Sequence, residues 1–327
     1  MGIHFYDSCP MSPMTMETRL KPARAIAHAG VPCLVWAEDA LSFAHFVPTE
    51  MFALQLLIPD KDIERAAQAI TSSLPYRRLT EPHKDWLDFE FMDPDQWSCF
   101  PNSIRLELTL PQSSRHEDDP VDIYIHPASW FYFDVKDDSR SVSLVPPLAP
   151  ANSALRFPTR TAFLDSLISN ILDPPTGVRH GKLDARLFTY ISYINLYTLR
   201  AFPRVLPNGD LEPERAAVSA SLKPENRRLW ESKIRNTYKG WIDEVTARRA
   251  ILEGMGRVAE ARKPFPKDRC FTWKKGSQAR GLHTSTLVGS SASSSKALLV
   301  RNPMPTPPNA AISRAFTRAQ NILRKRG

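Results

Sequence analysis

Literal Asp-x-Asp spacing occurs at Asp60-Lys61-Asp62 and at Asp93-Pro94-Asp95. Two carboxylates one residue apart on a strand point the same way and can share a divalent cation, which demands anionic oxygens. Asp60, however, follows an apolar run and opens a helical pattern, so it reads first as a helix N-cap. Pro94 makes the other pair a turn. His45, His83, His116, His126 and His180 show no His-x-x-x-His or His-Glu-x-x-His spacing. Cys9, Cys33, Cys99 and Cys270 are far apart, so neither a zinc site nor a disulfide framework is expected. A Gly-x-Ser-x-Gly nucleophile elbow is missing as well. The run Trp130-Phe131-Tyr132-Phe133 could stack on bases or a ligand, but core packing is the favoured reading.

The elements that must position such groups alternate between helical and extended patterns up to Val145. A short helix is expected over residues 20–29, a strand at Cys33-Leu34-Val35-Trp36, and a helix over 38–46 with Glu38 and Asp39 in its first turn. Met51 to Ile58 is an almost unbroken apolar run of strand length, suited to a central strand covered on both faces. Ile63, Ala66, Ala67 and Ile70 then form one helical stripe. Ile104–Leu110 and Val121–His126 alternate apolar with polar residues and should pair antiparallel. Short strands are expected at 130–133 and 141–145, before Pro146, Pro147 and Pro150 mark a boundary. Beyond it, amphipathic helices are expected near 163–172, over 183–200, and as one long helix over 225–262 carrying Trp230, Ile234, Tyr238, Trp241 and Val245.

The segment from Ala29 to Leu41, followed by Val47-Pro48-Thr49 and the apolar strand, resembles the start of nucleotidyltransferase-like domains. In that superfamily a strand leads into a small-residue turn and a helix, the next strand carries an Asp-x-Asp pair for magnesium, and a later strand supplies a third carboxylate. The turn Trp36-Ala37-Glu38-Asp39-Ala40 resembles that of a fungal branch with a degenerate metal-binding motif. The resemblance spans about residues 20–135 and implies a mixed sheet flanked by helices, an α/β (α+β) fold. It places Ala53 and Gln55 where the metal-binding pair should stand and Asp122 at the third position. Ala37-Glu38 replaces the Gly-Gly or Gly-Ser turn that approaches phosphate, and Glu38 and Asp39 would repel it. Ordinary magnesium-dependent transfer is therefore expected to be lost. The cleft residues are Trp36, Ala37 and Gln55; Glu38, Asp39 and Asp122 are the carboxylates that could form a displaced cation site, with Asp122 the metal candidate. In the plainer alternative Glu38 and Asp39 stabilise a helix start and Asp122 is a solvated strand residue.

The expected organisation is a flexible N-terminus over 1–18, the α/β domain over 19–150, a helical section over 151–262 and a disordered basic tail over 263–327. The tail holds thirteen Lys or Arg and one acid, Asp268, for a charge of +12; the remaining 30 basic and 34 acidic residues leave the body at −4. This split argues against a compact nucleic-acid-binding domain, while the tail could make weak nucleic-acid contacts. With 12 Gly there is little material for Gly-rich phosphate loops. No run of 18 apolar residues and no secretory leader is read, so an intracellular protein, cytoplasmic or nuclear, without a membrane span is expected. The functional expectation is a catalytically degenerate binding or scaffold module for a protein partner or small ligand, needing no cofactor. The alternatives are an active magnesium-dependent nucleotidyltransferase with relocated carboxylates, and an RNA-associated protein that uses its tail.

Overall fold

The computed structural model describes residues 5–79, 103–173, 181–235 and 238–257. Seven strands form one mixed sheet: β1 (Leu34–Trp36), β2 (Leu54–Ile58), β3 (Tyr76–Arg78), β4 (Ile104–Leu108), β5 (Asp122–Pro127), β6 (Ser141–Ser143) and β7 (Arg156–Pro158). Their order is β3-β4-β5-β2-β1-β7-β6. The apolar run thus becomes the central strand, with every residue of β2 buried. It lies antiparallel to β1 and parallel to β5, with Gln55 opposite both Trp36 and Tyr124. The β4 and β5 strands pair antiparallel, Glu107 opposite Asp122.

Alternation along the strands builds two cores. Val35, Leu54, Leu56, Ile58, Ile123 and Ile125 face one layer formed by α1 (Pro13–Arg19), α2 (Lys21–His28) and α4 (Ile63–Ser73). Leu34, Trp36, Leu57 and Tyr124 face the other, formed by α5 (Arg160–Leu172), α6 (Gly181–Tyr197), α7 (Pro213–Ser221), α8 (Pro224–Ile234) and α9 (Tyr238–Gly254). Between them α3 (Ala37–His45) closes the end of β1, giving Leu41 to one core and Phe43 to the other. Each fully buried Leu, Ile or Phe contributes roughly 1.5–3 kcal/mol. Both faces of β2 are therefore anchored, which pins its register.

Several expectations are corrected. Helix α1 falls largely within the stretch 1–18: Ser12 Oγ accepts from Thr15 N at 3.0 Å as its N-cap, and Met16 is fully buried. The boundary at 150 falls inside one unit, Met1–Arg269, because β7 pairs with β1 and α5 covers the sheet. Residues 130–133 form no strand; 128–131 are a 3-10 turn ending at Tyr132, in the left-handed conformation at φ 53°. Two helices, α8 and α9, replace the single one over 225–262, and α7, opened by Pro213 with Glu212 as its cap, went unforeseen. Asp60 caps no helix of its own strand connection. Its carboxylate accepts instead from the backbone N of Ser129 at 3.1 Å and from the Ser129 hydroxyl, fastening the 3-10 turn. Asp62, its Asp-x-Asp partner, pairs with Arg65 at 3.2 Å. Asp93-Pro94-Asp95, His83, His180 and residues 263–327 lie outside the described residues, as does the whole second unit, Cys270–Gly327. Among the described residues no helix is long and apolar enough to cross a membrane.

Candidate functional site

The β1 strand runs into α3 without a loop. Trp36 is extended at φ −125°, and Ala37 follows at φ 55°, a left-handed conformation that a side chain with Cβ disfavours by roughly 1–2 kcal/mol. This turn stands where the resemblance expects a small residue, and it sends the next two carboxylates in different directions. Both are buried, Glu38 at 3% and Asp39 at 0% exposure.

Asp39 turns toward α1. Arg19 meets both its oxygens, through Nε on Oδ1 and through Nη2 on Oδ2 at 3.0 Å, and Nη2 also donates to the Phe52 carbonyl at 2.5 Å. Burial pushes the Asp39 carboxyl above its ordinary range, and Arg19 opposes that shift. Glu38 turns toward α6. Tyr190 donates its hydroxyl to Oε1 at 2.5 Å, Gln55 Nε2 donates to Oε2 at 3.3 Å, and Arg186 Nε stands 3.9 Å from Oε1. Burial again raises the carboxyl, countered first by Arg186 and then by Tyr190. Arg186 and Tyr190 are four residues apart on α6 and therefore share a face.

The network continues along the sheet. Gln55 Oε1 lies 3.2 Å from His126 Nε2, and His126 Nδ1 lies 2.7 Å from Ser103 Oγ. An amide oxygen only accepts, so His126 carries its proton on Nε2 and Nδ1 accepts from the serine hydroxyl. The imidazole is held neutral: burial, with Arg105 and Arg186 nearby, pulls its pKa down to about 3. Tyr124 stacks on His126 at 5.5 Å, and Arg105 lies over the Tyr124 ring at 4.3 Å. The result is a chain of hydrogen bonds from Tyr190 through Glu38, Gln55 and His126 to Ser103, spanning α6, α3, β2 and β5.

The three candidate carboxylates are not brought together. Asp39 is spent on Arg19 and Glu38 on the α6 network, while Asp122, partly exposed, opens β5 opposite Glu107 of β4. Among the described residues no group of three or more His, Cys, Asp or Glu side chains is placed to hold a metal ion. Trp36 and Ala37, the expected cleft residues, are fully buried, and Trp36 packs on Phe131 at 5.3 Å and Phe163 at 4.6 Å. Phe131 and Phe133 of the aromatic run join the same core. Of the cleft set only Gln55 takes a polar role.

His126, Arg186, Tyr190 and Arg19 are the residues that sequence spacing missed. His126 had one available signal: it shares the β5 face of Asp122 and Tyr124 by alternation. The others come from helices whose docking no local pattern reveals. No protein-family model, no curated protein and no solved structure matches the chain.

Proposed function

We propose that this protein is a binding module built on a nucleotidyltransferase-like α/β frame from which metal-dependent transfer has been removed. The observation that supports this reading is the Gln55 amide. It stands where the resemblance calls for a metal-binding carboxylate, and both ends of it are occupied, by Glu38 and by His126. Magnesium held over nucleotide phosphates requires anionic oxygens. Here one position is a methyl group at Ala53, one is a neutral amide, and the neighbouring acid Glu38 is turned to Tyr190 and Arg186. A network of this kind, polar and internally satisfied, rigidifies a site. The module then acts by holding a protein partner or a small ligand near the starts of β2 and β5, where Ala53 and Asp122 are partly exposed.

The test is the thermal stability of the full chain with each nucleoside triphosphate, with and without magnesium or manganese, beside Asp122→Asn. Ligand at a hundred times its dissociation constant adds about 2.7 kcal/mol. No metal-dependent shift is expected for either protein. A shift that needs the metal and disappears in Asp122→Asn would restore the active-enzyme alternative.

A further inference from the structure

Away from the Glu38 network, a cleft of about 310 Å³ opens where α5, α8 and α9 meet. Part of its lining is apolar, from Leu172, Ala247 and Ile251. The rest is rich in hydrogen-bond donors. Asp173, at the end of α5, has one oxygen on Arg248 Nη2 at 2.7 Å and the other on Arg257 Nη1. A guanidinium offers five donors, and Arg248 spends only one on this carboxylate. Lys223 lines the same cleft at the N-cap of α8, and its Nζ meets no acceptor among the described residues. The helix N-terminus behind it adds to the positive potential. Of the acids present, Glu244 is closed by Arg228 at 3.0 Å and Glu225 is exposed to solvent.

We propose that this cleft is a binding site for a small organic carboxylate with an apolar body. The carboxylate sits on the unspent donors of Arg248 and Lys223, which a planar fork and a point charge can engage together. The body lies against Leu172, Ala247 and Ile251, and Asp173 serves as the positioning residue that holds Arg248 at the cleft. The volume is at the lower end of small-ligand pockets, and an apolar wall with a few convergent polar groups is their usual composition. The site is separate from the sheet-end network and does not depend on the nucleotidyltransferase-like reading.

Calorimetric titration of the full chain with 3-phenylpropionate tests it, with 3-phenylpropanol and acetate as controls at fixed ionic strength. Saturable one-to-one binding is expected for 3-phenylpropionate, with the neutral alcohol and the bodiless acetate each weaker by about tenfold or more. Arg248→Gln and Lys223→Gln should each weaken binding by a similar factor. Ala247→Trp, which fills the cleft from an exposed helix position and leaves the Asp173 pairs in place, should abolish binding with the melting temperature kept. Absence of saturable binding, equal binding of the alcohol or of acetate, or full binding by Ala247→Trp would each overturn the assignment.

Discussion

Gln55 illustrates how much one amide decides. Replacing it by Leu leaves Glu38 Oε2 and His126 Nε2 buried without their partner, and each abandoned group costs about 1–3 kcal/mol. Chemical denaturation of Gln55→Leu should therefore show a loss of at least about 2 kcal/mol; a loss under about 0.5 kcal/mol would mean that the network is not formed. His126 gives a second prediction, read by pH. Its folded pKa, about 3, lies below the ordinary value, so between these limits the unfolded chain binds a proton that the folded chain refuses. Stability then falls as pH drops below about 6.5, by about 1.4 kcal/mol per pH unit for this group. Glu38 and Asp39 act in the opposite sense, since a raised folded pKa favours the folded state at low pH and that contribution fades as pH rises through it. The comparison of His126→Asn with the parent isolates the histidine: the variant should have the shallower acid limb, and parallel curves would contradict the assignment. At this scale the sequence was half legible. Gln55 and Ala53 could be located by counting along an apolar strand, whereas the divergence of Glu38 and Asp39 follows from the left-handed turn at Ala37, which Ala does not announce.

Among the elements, α1 is the one whose role was least visible. Six of its seven residues, Pro13 to Thr18, fall in the terminus expected to be flexible, and the seventh, Arg19, carries the charge that Asp39 needs in order to be buried. Removing one partner of a buried pair leaves an uncompensated charge and costs about 3–5 kcal/mol. Arg19→Met should lower stability by that amount, and Arg19→Met with Asp39→Leu should recover most of it. A single variant with parent-like stability would show that α1 does not anchor the sheet. Elements defined by their own periodicity were legible: β2 from its apolar run, β4 and β5 from alternation, and α4 and α5 from their stripes. Those defined by tertiary contacts were not. Trp130-Phe131 has strand-like composition, but Asp60, from a remote turn, fixes the backbone there as a 3-10 turn.

For the whole molecule, the proline-rich stretch after Val145 suggested a domain boundary that the chain crosses twice. It returns as β7 to extend the sheet beside β1, and as α5 to bury Trp36 and Leu57. Residues 1–150 alone should lack near-ultraviolet dichroism and a cooperative melt, because one face of β1, β2 and β5 would lose its cover. A cooperative melt of that fragment would restore the boundary. The opposing charges of body and tail were legible because composition needs no fold, while the way the helical section covers the sheet was not, since covering helices and independent bundles share one amphipathic pattern. The proposal stands or falls on whether the position that the resemblance assigns to a metal-binding carboxylate is filled from within, by Gln55 held between Glu38 and His126. Manganese titration of the full chain in the presence of a nucleoside triphosphate, followed by electron paramagnetic resonance, tests it most directly. The free manganese–nucleotide signal should persist unchanged at stoichiometric protein. Its replacement by a protein-bound signal that Asp122→Asn removes would contradict the account.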